Sequence, residues 1–316
     1  MPVTITAGIT FSGGGLTMEF APPSVATAGW YAGGAYVPAK STVYRITFAT
    51  DTATASIRGP LNAAVYSSVG FGTTTAGWFA GGAVYPSSYK STITRITYAT
   101  DTSTSTDRGP VSISSAGMGG TSDNTTYGWA GGGITPSGNT STVSRVTYAN
   151  DTATSTNKGP LSLARAFLTA TGTPSYGWFL SGTSPVTSTV DRVDYSNDTA
   201  TASVRGPVAV AAQYPSGSVT DGTTYGWLAG GFMSTVQRVT YATDTDTASV
   251  RGPLAVNRYF GSATCDTTYG WFGGGYIPTE TSSITRITYA TDTATSVDRG
   301  NFPTVRAATG STSGIQ

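Results

Sequence analysis

Apolar and polar residues alternate along this chain in short runs broken by Gly, Pro, Asp and Asn, which is the pattern of half-buried strands. Val43-Tyr44-Arg45-Ile46-Thr47-Phe48 is one such run, rich in β-branched and aromatic residues. It is followed by the turn Ala49-Thr50-Asp51-Thr52 and by a second run, Ala53-Thr54-Ala55-Ser56-Ile57, so the segment predicts a hairpin. Asp suits that turn because its short side chain can accept a nearby backbone N–H. The Gly59-Pro60 that follows predicts the end of pairing, since Pro has no N–H to donate and a fixed φ. Before the hairpin comes a strand around Trp30, ended by Gly33-Gly34. Elsewhere a weaker strand, such as Phe167 to Thr173, precedes the Trp strand.

The same grammar recurs. All six Trp follow a Gly: Trp30, Trp78, Trp129, Trp178, Trp227 and Trp271, at spacings of 48, 51, 49, 49 and 44 residues. Downstream of each lies a Ser-Thr or Ser-Ser run that leads to Arg45, Arg95, Arg145, Arg192, Arg238 or Arg286. Six residues beyond each Arg stands an Asp-Thr pair: Asp51, Asp101, Asp151, Asp198, Asp244 and Asp292. Seven further on comes a basic residue followed by Gly: Arg58, Arg108, Lys158, Arg205, Arg251 and Arg299. Pro follows that Gly in five copies, but the last reads Arg299-Gly300-Asn301.

Four strands per copy at this period predict an all-β fold, a six-bladed kelch-like β-propeller. In such a fold Val43, Arg45 and Thr47 face one neighbouring blade and Tyr44, Ile46 and Phe48 the other. The closure is legible as well. The chain after Arg299 matches the strand before a Gly-Trp but has no Gly-Trp of its own, while the first copy begins at the Trp30 strand without an inner strand. Residues near 307–312 are therefore expected to pair with the Trp30 strand, so that one blade is completed by both ends of the chain and two sheet edges disappear. This reading divides the chain into an N-terminal attachment arm, residues 1–24, and a propeller, residues 25–316. In the arm Val3, Ile5, Ile9 and Phe11 are apolar beyond what a solvated tail requires, which suits docking on a neighbour by strand addition.

Composition then narrows the chemistry. Across 316 residues there are 41 Gly, a single Cys and no His, so imidazole catalysis, Cys/His zinc sites and an intrachain disulfide are excluded. A net charge of +1 offers no field for phosphates, which argues against nucleic acid. No apolar stretch reaches the roughly 18 residues of a membrane span, and the N-terminus lacks the basic start of a signal peptide. Neither a cofactor nor a metal is expected; Asp244-Thr245-Asp246 lacks the third acid and the Gly of a calcium loop.

The run Tyr176-Gly177-Trp178-Phe179 through Ser188-Thr189-Val190-Asp191-Arg192-Val193-Asp194-Tyr195 to Arg205-Gly206-Pro207 resembles the kelch-like repeats of virion proteins from marine tailed phages, cyanophages especially. The resemblance covers about residues 28–312. It departs from cellular kelch repeats in carrying Trp beside the diglycine rather than in the outermost strand. It implies a non-enzymatic virion structural protein of tail-fibre or appendage type. Such a protein is assembled in the host cytoplasm, is oligomeric through the particle, and contacts other virion proteins and a host receptor or surface glycan. The alternatives are a carbohydrate-binding lectin and a capsid decoration protein.

For the repeated residues the structural reading is preferred. The strand Arg are expected between blades, donating to carbonyls or to a turn Asp, and the Trp are expected in inter-blade packing, with the preceding Gly making room for the next sheet. Cys265 reads as a small buried or loop residue. A carboxylate-only hydrolase would need acids such as Asp123 and Asp221, which stand in unrelated loops. Partner contact is expected where copies differ, in the loops between the diglycine and the Ser-Thr run. These vary from eight residues (83–90) to two (232–233) and should cluster on one face. The candidates there are Tyr36, Lys40, Tyr85, Tyr89, Lys90 and Tyr276.

Overall fold

The computed structural model describes residues 8–12, 15–19, 26–35, 37–86 and 88–314. Its architecture is a six-bladed β-propeller, six antiparallel sheets arranged in a ring. In blade 2 the strands run Val69–Gly72, Ala76–Ala80, Ile93–Thr97 and Thr106–Arg108 from the axis outward. Blades 3, 4, 5 and 6 follow the same order around Trp129, Trp178, Trp227 and Trp271. The innermost strands pack on one another around the axis. These are the weak, small-residue runs ahead of each Trp strand, and only narrow side chains leave room for six strands to converge.

Blade 1 is the composite that the orphaned C-terminal strand predicted. Gly310–Thr312 lies antiparallel to Ala28–Ala32, with Trp30 opposite Thr312, Tyr31 opposite Ser311 and Ala32 opposite Gly310. The ring is thus closed by main-chain pairing between the two ends of the propeller.

The third-strand register also matches the expected division of faces. Val43 packs with Trp30, Leu61, Phe79 and Ile96 toward blade 2. Tyr44, Ile46 and Phe48 pack with Trp271, Ile284 and Phe302 toward blade 6.

Three local features differ from the sequence reading. The turn after the Arg strand opens with one 3-10 turn, Phe48–Thr50 in blade 1, and the outer strand is only Ser56–Arg58, shorter than the run 53–57 implied. Among the described residues the loops of blades 2, 3 and 6 carry small strand pairs of their own, such as Ala83–Val84 with Ser88–Tyr89. In blade 6, where Asn301 replaces the Pro, the outer strand continues from Val297 to Arg306 and pairs with a lengthened Thr279–Thr288 strand. An N–H restored at that position lets pairing continue past Gly300.

Of the arm residues, Val3 and Ile5 lie outside the described residues. Ile9 and Phe11 fall on the strand Gly8–Ser12, which forms a two-stranded sheet with Gly15–Glu19.

Candidate functional site

Two sets of residues dominate the molecule, one repeated at every seam between blades and one confined to a mouth of the axis. At each seam a Trp stacks on the aromatic residue that opens the next blade's 3-10 turn. Trp30 lies 3.7 Å from Tyr98 with their planes 6° apart, and the series closes with Trp271 on Phe48 at 4.0 Å. The indole N–H donates to the buried Asp of that next blade: Trp30 to Asp101 at 2.8 Å, Trp129 to Asp198 at 3.0 Å, and Trp271 back to Asp51 at 2.8 Å. The same Oδ2 accepts from the strand Arg, as Arg145 does on Asp198 at 3.0 Å and Arg286 on Asp51 at 2.9 Å. The basic residue before the Gly makes a further ion pair, for example Arg108 with Asp151 at 3.3 Å and Lys158 with Asp198 at 3.3 Å.

These contacts place the Arg and Trp between blades, as expected. The Asp does more than form a turn: Asp51 stands at the C-terminal end of its 3-10 turn, and its carboxylate neutralises two cations and accepts from an indole of the blade before. That arrangement satisfies a buried charge with charge-assisted hydrogen bonds. Asp244 is engaged in the same way, by Trp178, Arg192 and Arg205.

The Gly after the basic residue completes the seam. The Gly59 N–H donates to the Asp101 carbonyl at 2.8 Å, and a Cβ on Gly59 would overlap the backbone of Ser103. Gly109, Gly159, Gly206, Gly252 and Gly300 meet the following copy in the same way.

The second set lies where each chain segment enters an innermost strand. Six equivalent residues there adopt the left-handed conformation: Ser67 (φ 52°), Gly117 (64°), Phe167 (50°), Tyr214 (53°), Phe260 (54°) and Ala308 (53°). Left-handed backbone costs roughly 1–2 kcal/mol at a non-Gly residue, so five of these positions hold a strained conformation in register. They are held by main-chain hydrogen bonds that run from blade to blade around the axis: Ser67 N to Ala308 O (2.7 Å), Gly117 N to Ser67 O (2.9 Å), Phe167 N to Gly117 O (2.7 Å), Phe260 N to Tyr214 O (3.1 Å) and Ala308 N to Phe260 O (2.6 Å). Phe167 and Tyr214 meet through their rings at 5.0 Å.

The rim of this mouth is asymmetric. Blades 4, 5 and 6 place Phe167, Tyr214 and Phe260 on it, with Tyr214 stacked on Phe260 at 4.4 Å and Phe167 edge-on to Phe260 at 5.4 Å. Tyr259 extends the cluster by stacking on Phe232 at 4.1 Å and on Tyr276 at 5.3 Å. At the equivalent positions blades 1, 2 and 3 carry Ala308, Ser67 and Gly117, and blade 2 adds Tyr66 and Tyr89 beside them. A depression of about 440 Å³ results, walled by Tyr66, Tyr89, Phe167, Tyr259, Phe260 and Tyr276 and otherwise lined by Ala, Ser and Ile side chains. Burial and the carboxylate of Glu280, which accepts from the Tyr276 hydroxyl at 3.1 Å, push that phenol up to about 12.

Of the contact candidates, the structure brings Tyr89 and Tyr276 into this depression. Lys90 lines a different pocket with Leu61, Phe79 and Val84, and its Nζ donates to Ser88 Oγ at 3.0 Å. Tyr85 is 54% exposed and Lys40 is exposed, but neither lines the depression. Tyr36 lies outside the described residues.

Asp123 and Asp221 are each engaged by their own turns. Asp123 Oδ1 accepts from the backbone N–H of Thr125, Thr126 and Tyr127, and Asp221 Oδ1 from Thr223, Thr224 and Tyr225. Cys265 is buried on an innermost strand, where desolvation pushes its thiol up to about 11.

Sequence reasoning missed Phe167, Tyr214, Tyr259 and Phe260. The available signal was the residue two before each innermost strand, which reads Ser, Gly, Phe and Phe at Ser67, Gly117, Phe167 and Phe260 while its surroundings repeat.

No known family model and no curated protein matches the chain.

Proposed function

We propose that this chain is a non-enzymatic virion component of a tailed phage, of tail-fibre or appendage type, that meets a host surface or a neighbouring subunit through the face carrying the axial mouth. The observation that carries the contact reading is the half-aromatic rim. At the six equivalent positions blades 4, 5 and 6 supply large rings and blades 1, 2 and 3 only Ala308, Ser67 and Gly117, and with Tyr66 and Tyr89 of blade 2 a symmetric scaffold presents one concave, aromatic-walled surface. Aromatic residues in a desolvated, concave setting are the usual anchors of recognition, whereas the seam Trp and Asp are buried and bonded to each other between blades. The virion assignment is supported by the resemblance of the six copies to kelch-like repeats of marine tailed-phage particles. It predicts other virion proteins as partners and the particle, assembled in host cytoplasm, as the location.

The test is peptide mass spectrometry and antibody–gold labelling of purified particles from an infected culture producing this chain. Label at tail appendages is expected. Label over the head would replace the appendage reading with a decoration protein, and a chain that stays soluble and never enters particles would overturn the virion reading.

A further inference from the structure

We propose that the axial depression is a saccharide site that takes the uncharged end of a glycan, a class of ligand defined by apolar ring faces edged with hydroxyls. The inference rests on the contact reading above and names its ligand.

Charge comes first. Among the described residues that line the depression none carries a formal charge, so a sulfated, phosphorylated or sialylated ligand would lose its hydration without finding a counter-ion. The polar side chains that line it are instead phenolic and alcoholic, those of Tyr89, Tyr259, Tyr276 and Ser67 among them. Hydroxyls of this kind both donate and accept, which is what a ligand made of hydroxyl groups requires. Tyr276 donates its own proton to Glu280 and so presents its oxygen as an acceptor for a ligand O–H.

The floor comes next. Its backbone N–H groups are already spent on the blade-to-blade chain of hydrogen bonds that joins Ala308, Ser67, Gly117 and Phe167. An anion would seek those donors, whereas a neutral ligand does not need them. Shape completes the argument. The volume of about 440 Å³ lies within the range of roughly 300–1,000 Å³ for small-ligand sites. Phe167 and Phe260 give the depression apolar ring faces and Tyr89, Tyr259 and Tyr276 give it phenols, the combination in which a flat apolar face lies against rings while its hydroxyl edge meets the tyrosines. The left-handed strain kept at five non-Gly positions fits this purpose, since backbone held in a costly conformation collects at ligand clamps.

The experiment is isothermal titration and saturation-transfer NMR of the full chain. The probes are methyl glycosides and short neutral oligosaccharides of glucose, galactose, mannose, fucose and their N-acetyl forms, with sialylated and sulfated glycans as the contrasting arm. Saturable binding of at least one neutral probe is expected, weakened at least tenfold by Phe260→Ala, which removes wall, and by Ala308→Phe, which fills the open half. Because Phe already occupies the equivalent left-handed position at Phe167 and Phe260, Ala308→Phe should fold, and an unchanged circular dichroism spectrum and melting temperature verify it. Binding restricted to acidic glycans, binding unaffected by both substitutions, or no binding to any neutral probe at millimolar concentration would overturn the inference. A chain found on tail appendages together with that failure would leave the contact reading standing and point to a protein ligand.

Discussion

At the seams and at the mouth the same six-fold frame is used in opposite ways. Each seam holds one carboxylate between an indole and two cations. The three Trp–Asp distances of 2.8, 3.0 and 2.8 Å at Asp101, Asp198 and Asp51 show how little the geometry varies around the ring. The mouth has six positions that are equally equivalent in backbone, all with φ between 50° and 64°, yet their side chains run from none at Gly117 to the rings of Phe167, Tyr214 and Phe260. Where a contact must close the ring, every copy needs the same chemistry, because one weak seam opens the whole. Where backbone alone sustains the geometry, side chains are free to diverge, and divergence is what gives a symmetric scaffold a direction.

The largest effect should come from opening the ring. Truncation after Arg306 removes the strand Gly310–Thr312, leaving the Trp30 strand as an open inner edge and the inner surfaces of blades 1, 2 and 6 uncovered. The expected outcome is loss of a cooperative calorimetric transition and rapid proteolysis. A truncated chain that still melts sharply would mean that the seams suffice without the shared blade.

Alkaline pH attacks the seams collectively. The phenols of Tyr31, Tyr98, Tyr148, Tyr195, Tyr241 and Tyr289 are all raised above the ordinary tyrosine value, with burial as the largest cause in each. The folded state therefore keeps protons that the unfolded chain loses near pH 10, so stability is present in full below pH ~10 and falls as pH rises beyond it. The loss is about 1.4 kcal/mol per pH unit for each buried phenol. Phenolate absorbance should then rise together with the loss of circular dichroism. Ionisation well before unfolding would show that these hydroxyls reach water.

A single seam can be tested by Asp151→Ala, which orphans the Trp78 indole and leaves Arg95 and Arg108 without their carboxylate. A cost of about 3 kcal/mol is expected, as for breaking a buried pair from one side. Asp244→Ala should cost about the same, since Trp178, Arg192 and Arg205 engage it as Trp78, Arg95 and Arg108 engage Asp151, and the double variant should sum the two to within ~0.5 kcal/mol. Unequal losses in denaturant melts would show that the seams are not interchangeable.

The seams were legible from sequence because they repeat: Trp, Arg, Asp and the basic-Gly pair stand in register, and Gly-Pro marks where each outer strand stops. Even the exception was legible, since Asn301 in place of Pro coincides with the one outer strand that runs on to Arg306. The strand Arg was expected on a carbonyl or a turn Asp, and it is the Asp; the indole and the second cation on that carboxylate were not foreseen, because a turn preference and a long-range contact select the same residue and spacing cannot separate them. The mouth was missed for the opposite reason. Phe167, Tyr214 and Phe260 carry no shared motif, and only the blade-to-blade backbone ring makes them neighbours, though they lie 47 and 46 residues apart in sequence. Tyr89 and Tyr276 were found because loop variability is visible in one sequence, while Lys40 and Lys90 were grouped with them by proximity along the chain alone.

The smallest effect should come from exchanging side chains at the mouth, and its smallness is what sharpens the contrast. Ala308→Phe puts a ring at a position whose φ of 53° is within a few degrees of Phe260 at 54° and Phe167 at 50°. The backbone cost of the left-handed conformation is already paid in the parent, and the added side chain enters a depression instead of a packed interior. The change in unfolding free energy should therefore stay within ~1 kcal/mol, against about 3 kcal/mol for a seam carboxylate. Ala308→Gly, which relieves the strained φ but loosens the unfolded chain, should come out near zero, because a gain of about 1 kcal/mol is offset by an entropic loss of similar size. If either substitution cost as much as Asp151→Ala, the mouth would be part of what holds the ring shut, and its varied side chains would have to be explained by packing and not by what they meet.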